Sequence, residues 1–223
     1  MKLNNFACGI RFTKGFHVED QMGAIVDDIL YTDGSKFNEL LFPELQRGNG
    51  VRRLINKNNN CQLTITPNDF IFEYRILHDF QKELEDYLSE FNRIINQIFI
   101  PYKIKNIVRF GFIIGAELDQ EDDLLKSVIG NIETNYSNKP QDALSLRFNI
   151  INKTPIKIGG EVTQDFDNTI ITYDKASKES KYSFSVDYQK FFNPPLEVIK
   201  DAPISYIDFC KKCYKLYTAK YGI

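Results

Sequence analysis

The residues best placed to do chemistry in this chain are arginines. There are eight, and four of them, Arg11, Arg75, Arg109 and Arg147, fall in segments where apolar and other residues alternate, always on the less apolar side. Lysines crowd the intervening loops and helix surfaces instead. A guanidinium is a rigid fork of donors that fits phosphate or carboxylate two bonds at a time, which makes these four candidate ligand-binding residues. Gly9, Gly111 and Gly115 occupy the same sides and would leave room for a ligand or another backbone. Glu117 shares that side with Arg109 and could serve beside it on a phosphorylated substrate. The competing reading is a set of cross-strand ion pairs with Glu73, Glu117 and Asp187. Arg47, Arg52 and Arg53 make a long connection locally basic and could add phosphate contacts to nucleic acid.

Other reactive types point to packing. His17 and His78 are the only histidines, and no H-x-H or H-x-x-x-H spacing accompanies them. Cys210 and Cys213 form C-x-x-C inside a Tyr- and Ile-rich helical stripe, not at a helix N-terminus after a strand, where a redox pair belongs. They read as buried packing thiols. Glu121, Asp122 and Asp123 suit a helix start, where carboxylates offset the dipole. Gly159-Gly160 is followed by no Lys-Ser/Thr, and no G-x-S-x-G is present. We therefore expect no catalytic residue, no metal and no cofactor.

Composition bounds the classes. At 223 residues and 43% hydrophobic, the chain can bury a substantial core, either as one large domain or as two small fused ones. A formal net charge of −2 argues against nucleic-acid binding through a global field. Four scattered cysteines are too few for a disulfide scaffold. No apolar run approaches the ~18 residues of a membrane span, and Met1–Asn5 lacks a signal-peptide pattern. The expectation is a cytoplasmic protein.

The elements that would hold the arginines follow from periodicity. Phe6–Thr13 alternates as a half-buried strand, and Val18–Leu30 carries a helical stripe. Tyr31–Asn60 reads as a long connection with a helical turn at Phe37–Leu41. Cys61–Leu77 reads as a hairpin turning at Pro67-Asn68-Asp69. Asp79 N-caps a helix of strong apolar spacing that Pro101 ends. Lys105–Asp119 is the longest alternating strand, with Val108, Phe110, Phe112, Ile114, Ala116 and Leu118 on its apolar face. Glu121–Ile132 reads as helical and Ala143–Asn152 as a strand. Strands at Asn168–Asp174 and Tyr182–Tyr188 follow, with Asn193-Pro194-Pro195 ending the last. A helix over Pro203–Tyr221 buries Ile204, Ile207, Cys210, Tyr214, Tyr217 and Tyr221. The fold class is α+β: a curved antiparallel sheet backed by helices on one side. It is a single domain of two pseudo-symmetric halves, 1–100 (β-α-β-β-α) and 101–223 (β-α-β-β-β-α).

Arg109-Phe110-Gly111-Phe112 after a long aromatic-rich helix, together with the Tyr-rich closing helix, resembles a sporadically distributed bacterial family of uncharacterised proteins. That family's central strand carries Arg-hydrophobic-Gly-hydrophobic followed by Arg-Tyr-Ile-Asn; here Ile113-Ile114-Gly115 stands in the second position. The resemblance implies a non-enzymatic binding or assembly subunit of a bacterial multi-protein, defence-related system, with a protein partner or a second copy to form a dimer. The duplicated layout is similar in shape to the TATA-binding protein. The alternatives are a nucleic-acid-binding protein and an enzyme on a phosphorylated substrate.

Overall fold

Alternation sets the first and sixth strands. β1 (Lys2–Phe12) turns Phe6, Cys8, Ile10 and Phe12 inward, each at most 2% exposed. β6 (Ile107–Leu118) does the same with Phe110, Phe112, Ile114, Ala116 and Leu118. The computed structural model describes residues 2–13, 16–41, 50–58, 60–118, 127, 144–158, 161–175, 182–197 and 202–221. Between β1 and β6 the chain forms α1 (Phe16–Asp20), α2 (Met22–Leu30), β2 (Glu39–Leu41), β3 (Arg52–Ile55), β4 (Cys61–Ile65), β5 (Asp69–Arg75) and α3 (Phe80–Phe99). After β6 come β7 (Leu144–Ile158), β8 (Glu161–Lys175), β9 (Tyr182–Leu196) and a closing helix, α4 (Ala202–Tyr221). The expected helix at Glu121–Ile132, with its acidic start, lies outside the described residues, Ser127 excepted.

The strands make one open antiparallel sheet of nine, in the order β2-β3-β4-β5-β1-β6-β9-β8-β7. Strands from the first part of the chain occupy one side and those from the second part the other. They meet where β1 pairs with β6.

Helices cover one face. Phe91 and Phe99 of α3 meet Phe72 and Phe70 of β5 with ring centroids 5.5 and 5.6 Å apart. Tyr206 of α4 meets Phe110 of β6 at 5.0 Å and Phe91 of α3 at 5.5 Å. The hydroxyl of Tyr206 donates to the carbonyl of Gly111 at 2.9 Å, so α4 is anchored to the central strand by a hydrogen bond inside the core. Asp79 caps α3 as expected, accepting from the Lys82 amide at 3.0 Å.

Several expectations need correction. The stripe over 18–30 is broken at Gln21 into two helices. The expected turn at Phe37–Leu41 is instead strand β2, and β3 forms within the expected connection. β2 is an edge strand of three residues and β3, paired between β2 and β4, has four; both are too short to display alternation. Val108 was expected to face inward, but Ile107 does so, at 1% exposure. Between Ile107 and Arg109 the register shifts: Val108 is an extra residue against β1, and four residues of β9, Phe192–Pro195, stand opposite it, which rotates the strand end. β7 runs through Pro155, β8 begins earlier than Asn168, and β9 continues to Leu196 through the expected break. Among the described side chains of α4, Tyr206, Cys210, Cys213 and Tyr217 are buried, whereas Ile207, Tyr214 and Tyr221 are half-buried; the Ile204 side chain lies outside the described residues.

Candidate functional site: the open face of the sheet

Residues that alternate with the buried set point away from the helices. The pairing registers lay them out in rows across the strands. One row reads Asp69 (β5), Arg11 (β1), Arg109 (β6), Phe191 (β9), Phe166 (β8) and Lys153 (β7). The next reads Ile71, Gly9, Gly111, Gln189, Asn168 and Ile151. Arg11 and Arg109 are therefore direct cross-strand partners at the middle of the sheet, and so are Gly9 and Gly111.

The two arginines differ in their surroundings. Arg11 grips Asp69 with both ends of its fork, Nε to Oδ1 at 2.8 Å and Nη2 to Oδ2 at 3.0 Å. The Asp69 side chain is 10% exposed and that of Arg11 43%. The hydrogen bonds to Asp69 raise the Arg11 pKa. Arg109 forms no hydrogen bond or ion pair with the described residues; its one contact of this kind is with the face of Phe191, 5.8 Å from the guanidinium carbon to the ring centroid. Burial lowers its pKa, the neighbouring Arg11 lowers it further, and Asp69 and Asp187 offset this only in part. Asp187 is occupied by the side-chain amide of Gln189, and burial pushes its carboxyl up. Arg109 is thus a half-buried cation whose nearest carboxylates are engaged elsewhere.

Beside Arg109 the sheet is bare. A methyl group on Gly111 would meet only the Gly9 carbonyl, at 3.8 Å, and one on Gly9 would meet Phe70 O at 3.8 Å and an Ile71 methylene at 4.0 Å. These are ordinary contact distances, so neither glycine is demanded by packing. Gly115 is different: Asn5 lies across it, with Oδ1 1.7 Å from where a methyl would sit. The depression over Gly9 and Gly111 is flanked on the next row by Phe191 and Phe166, stacked at 4.3 Å with planes 9° apart.

The other expected residues are spread out. Arg75 and Glu117 line a separate cleft of about 450 Å³ at the far end of the face, with Asn5, Gln62 and Glu73. Glu117 sits eight positions along β6 from Arg109, roughly 27 Å at about 3.4 Å per residue, so the two cannot act on one small substrate. Arg147 is exposed on edge strand β7. Arg53 reaches the open face opposite Thr64, Arg52 is exposed and points the other way, and Arg47 lies outside the described residues. The expected carboxylate partners Glu73, Glu117 and Asp187 do not pair with Arg11; Asp69, read from sequence as a turn residue, does. Phe166 and Phe191 were missed as well. Continuing the alternation Ser183, Ser185, Asp187, Gln189 by one step would have put Phe191 on the polar face.

Cys210 and Cys213 are free and buried; burial raises both, Cys213 to about 12. Among the described residues no cluster of His, Cys, Asp and Glu could hold a metal, and no helix is long and apolar enough to cross a membrane. His78 is exposed, and the His17 side chain lies outside the described residues. No protein-family model matches the chain, and no curated protein matches it.

Proposed function

We propose that the chain is a non-enzymatic binding or assembly subunit of a bacterial multi-protein, defence-related system. It works in the cytoplasm by presenting the open face of its sheet to an anionic ligand or protein partner. Arg109 carries this reading: a half-buried guanidinium beside bare backbone, without a carboxylate of its own, gains most from an anion that arrives from outside. An enzyme would need a nucleophile or base within hydrogen-bond reach of the bound substrate. Glu117 lies too far along β6 to be that group.

We read the chain as one domain of two like halves, 1–100 and 101–223, laid out as in the TATA-binding protein. Support comes from the strand order: in each half the first strand is central, the last lies beside it and the others follow outward. Each half closes with a 20-residue helix on the same face. For a dimer, edge strand β7 offers unpaired backbone and exposed Phe148, Ile150 and Ile151.

The test is thermal shift with a panel of polyanions: inorganic polyphosphate, an acidic peptide and an oligonucleotide. At least one should raise the melting temperature of the wild type and fail to do so for Arg109→Met. No shift from any of them, or a shift that survives in Arg109→Met, overturns the reading.

A further inference from the structure

Arg109 does not stand alone on the open face, and its neighbours narrow the chemistry of the anion. On the adjacent strands of the same row, Phe191 and Phe166 hold parallel rings 4.3 Å apart, half-buried, on the side of the sheet that no described helix covers. A core has no use for aromatic rings there, and Lys153 completes the row beyond Phe166. The Gly9–Gly111 pair gives up side-chain packing at the middle of the sheet although a methyl group would fit both positions. Glycine in a strand interior weakens it, and where neither turn nor packing asks for it, the space admits an incoming group close to the backbone.

We infer that this face binds single-stranded nucleic acid, with a phosphate on Arg109, a base extending the Phe191–Phe166 stack, and the sugar–phosphate chain crossing the bare Gly9–Gly111 floor. The inference rests on the anionic-ligand reading above and specifies it. Stacking on aromatic rings tolerates any base and works without a strong global field, which suits a chain of net charge −2. A duplex hides its base faces and is held mainly through many phosphate contacts. Among the described residues this row offers Arg109 and Lys153 as cations not already committed to a carboxylate, since Arg11 is held by Asp69. A free nucleotide calls for a concave pocket that encloses it. The clefts found among the described residues lie elsewhere, at Arg75 and Glu117 and along α4, so the ledge suits one unit of an extended strand. An acidic peptide would satisfy Arg109 but leave the ring pair without a role.

The experiment is fluorescence anisotropy with short labelled oligouridylate and oligothymidylate. The competitors are an abasic strand of equal length, the matching duplex, a nucleoside monophosphate and inorganic polyphosphate. The wild type should bind the single strands more tightly than every competitor. Phe191→Ala should weaken binding roughly tenfold or more. Arg109→Met should weaken it and reduce the salt slope by about one. Gly111→Ala is the decisive variant: it should melt no lower than the wild type yet bind more weakly, an outcome that separates a lost site from a lost fold. Equal binding of the abasic strand or of polyphosphate overturns the nucleobase and leaves an anionic face. Equal binding of the monophosphate or the duplex overturns the single strand. Unchanged binding by a folded Gly111→Ala or Phe191→Ala overturns the ledge. Binding of none of these ligands overturns the inference, while an acidic peptide that then still shifts the melting temperature preserves the broader reading.

Discussion

Arg11 and Arg109 face each other across the centre of the sheet, yet removing them should move stability in opposite directions. Methionine keeps most of the aliphatic stem and deletes the guanidinium, so the comparison isolates the charge. Arg11→Met strands Asp69, whose side chain is 10% exposed, without its two hydrogen bonds. Breaking a fully buried pair costs about 3–5 kcal/mol, and an exposed pair contributes about 0–1. With the Arg11 end 43% exposed and screened by water, a loss of about 2 kcal/mol is expected. Arg109→Met removes a partly desolvated cation that has no hydrogen-bonded partner and is repelled by Arg11. Its distant attraction to Asp69 and Asp187 and its contact with the Phe191 ring offset part of that gain, so the net change should lie between zero and about 1 kcal/mol of added stability. Urea unfolding followed by circular dichroism reads both variants. A slope of about 2–3 kcal/mol/M turns the Arg11→Met loss into a midpoint drop of roughly 0.7–1 M, with Arg109→Met at or above the wild type. A comparable drop for both variants would refute the reasoning, because Arg109 would then be serving the fold.

Phe91 joins α3 both to Phe72 of β5 and to Tyr206 of α4. Phe91→Ala should cost about 3–5 kcal/mol, lowering the melting temperature by about 10 °C in calorimetry; a loss below about 1 kcal/mol would place that helix face in solvent. Cys210 and Cys213 should resist alkylation in the native protein at neutral pH and react on unfolding. Cys210→Ala/Cys213→Ala should leave metal content unchanged, so stoichiometric zinc lost in that variant would reverse the packing assignment. Burial raises the Glu83 carboxyl, but the Tyr74 hydroxyl and the amides of Leu77 and His78 outweigh it and hold the pKa below the ordinary value. Its contribution should be complete above the unfolded value of about 4.3 and lost as pH falls through the lower folded pKa. Glu83→Gln should therefore cost about 1–2 kcal/mol at neutral pH, with the gap to wild type closing in acid melts.

Legibility in the sequence followed the strength of the local pattern. β1, β6 and α3 could be read because each repeats one period over many residues, and Asp79 marks the start of α3 with a cap that forms as expected. β2 and β3 could not, since Leu54 is the single buried hydrophobic residue of β3 and one residue has no period. Pro194 and Pro195 misled for a different reason: proline disfavours the interior of a sheet, yet β9 runs through both to Leu196. α4 carries apolar or aromatic residues on several sides, including Ile207, Phe209, Tyr214 and Leu216, so periodicity alone could not decide that Tyr206 and Cys213 face the sheet. The arginine faces were legible, but their pairing was not, because Asp69 reaches Arg11 only through the β1–β5 register.

That register also separates residues that meet the demands of the fold from residues that do not. Asp69 fits the stable choice, burying a carboxylate against a two-pronged donor, and Gly115 fits it too, making way for Asn5. Arg109, Gly111 and Gly9 do not: one desolvates a charge without a hydrogen-bonded partner, and two omit side chains where there is room for them. Each departure alone is small, on the order of 1 kcal/mol, and could be tolerated anywhere on a sheet. All three adjoin one another on β1 and β6, next to a ring pair that no described helix covers. Departures from local consistency are expected to gather at functional sites, and a sheet shaped only for stability would have no reason to collect them at its centre.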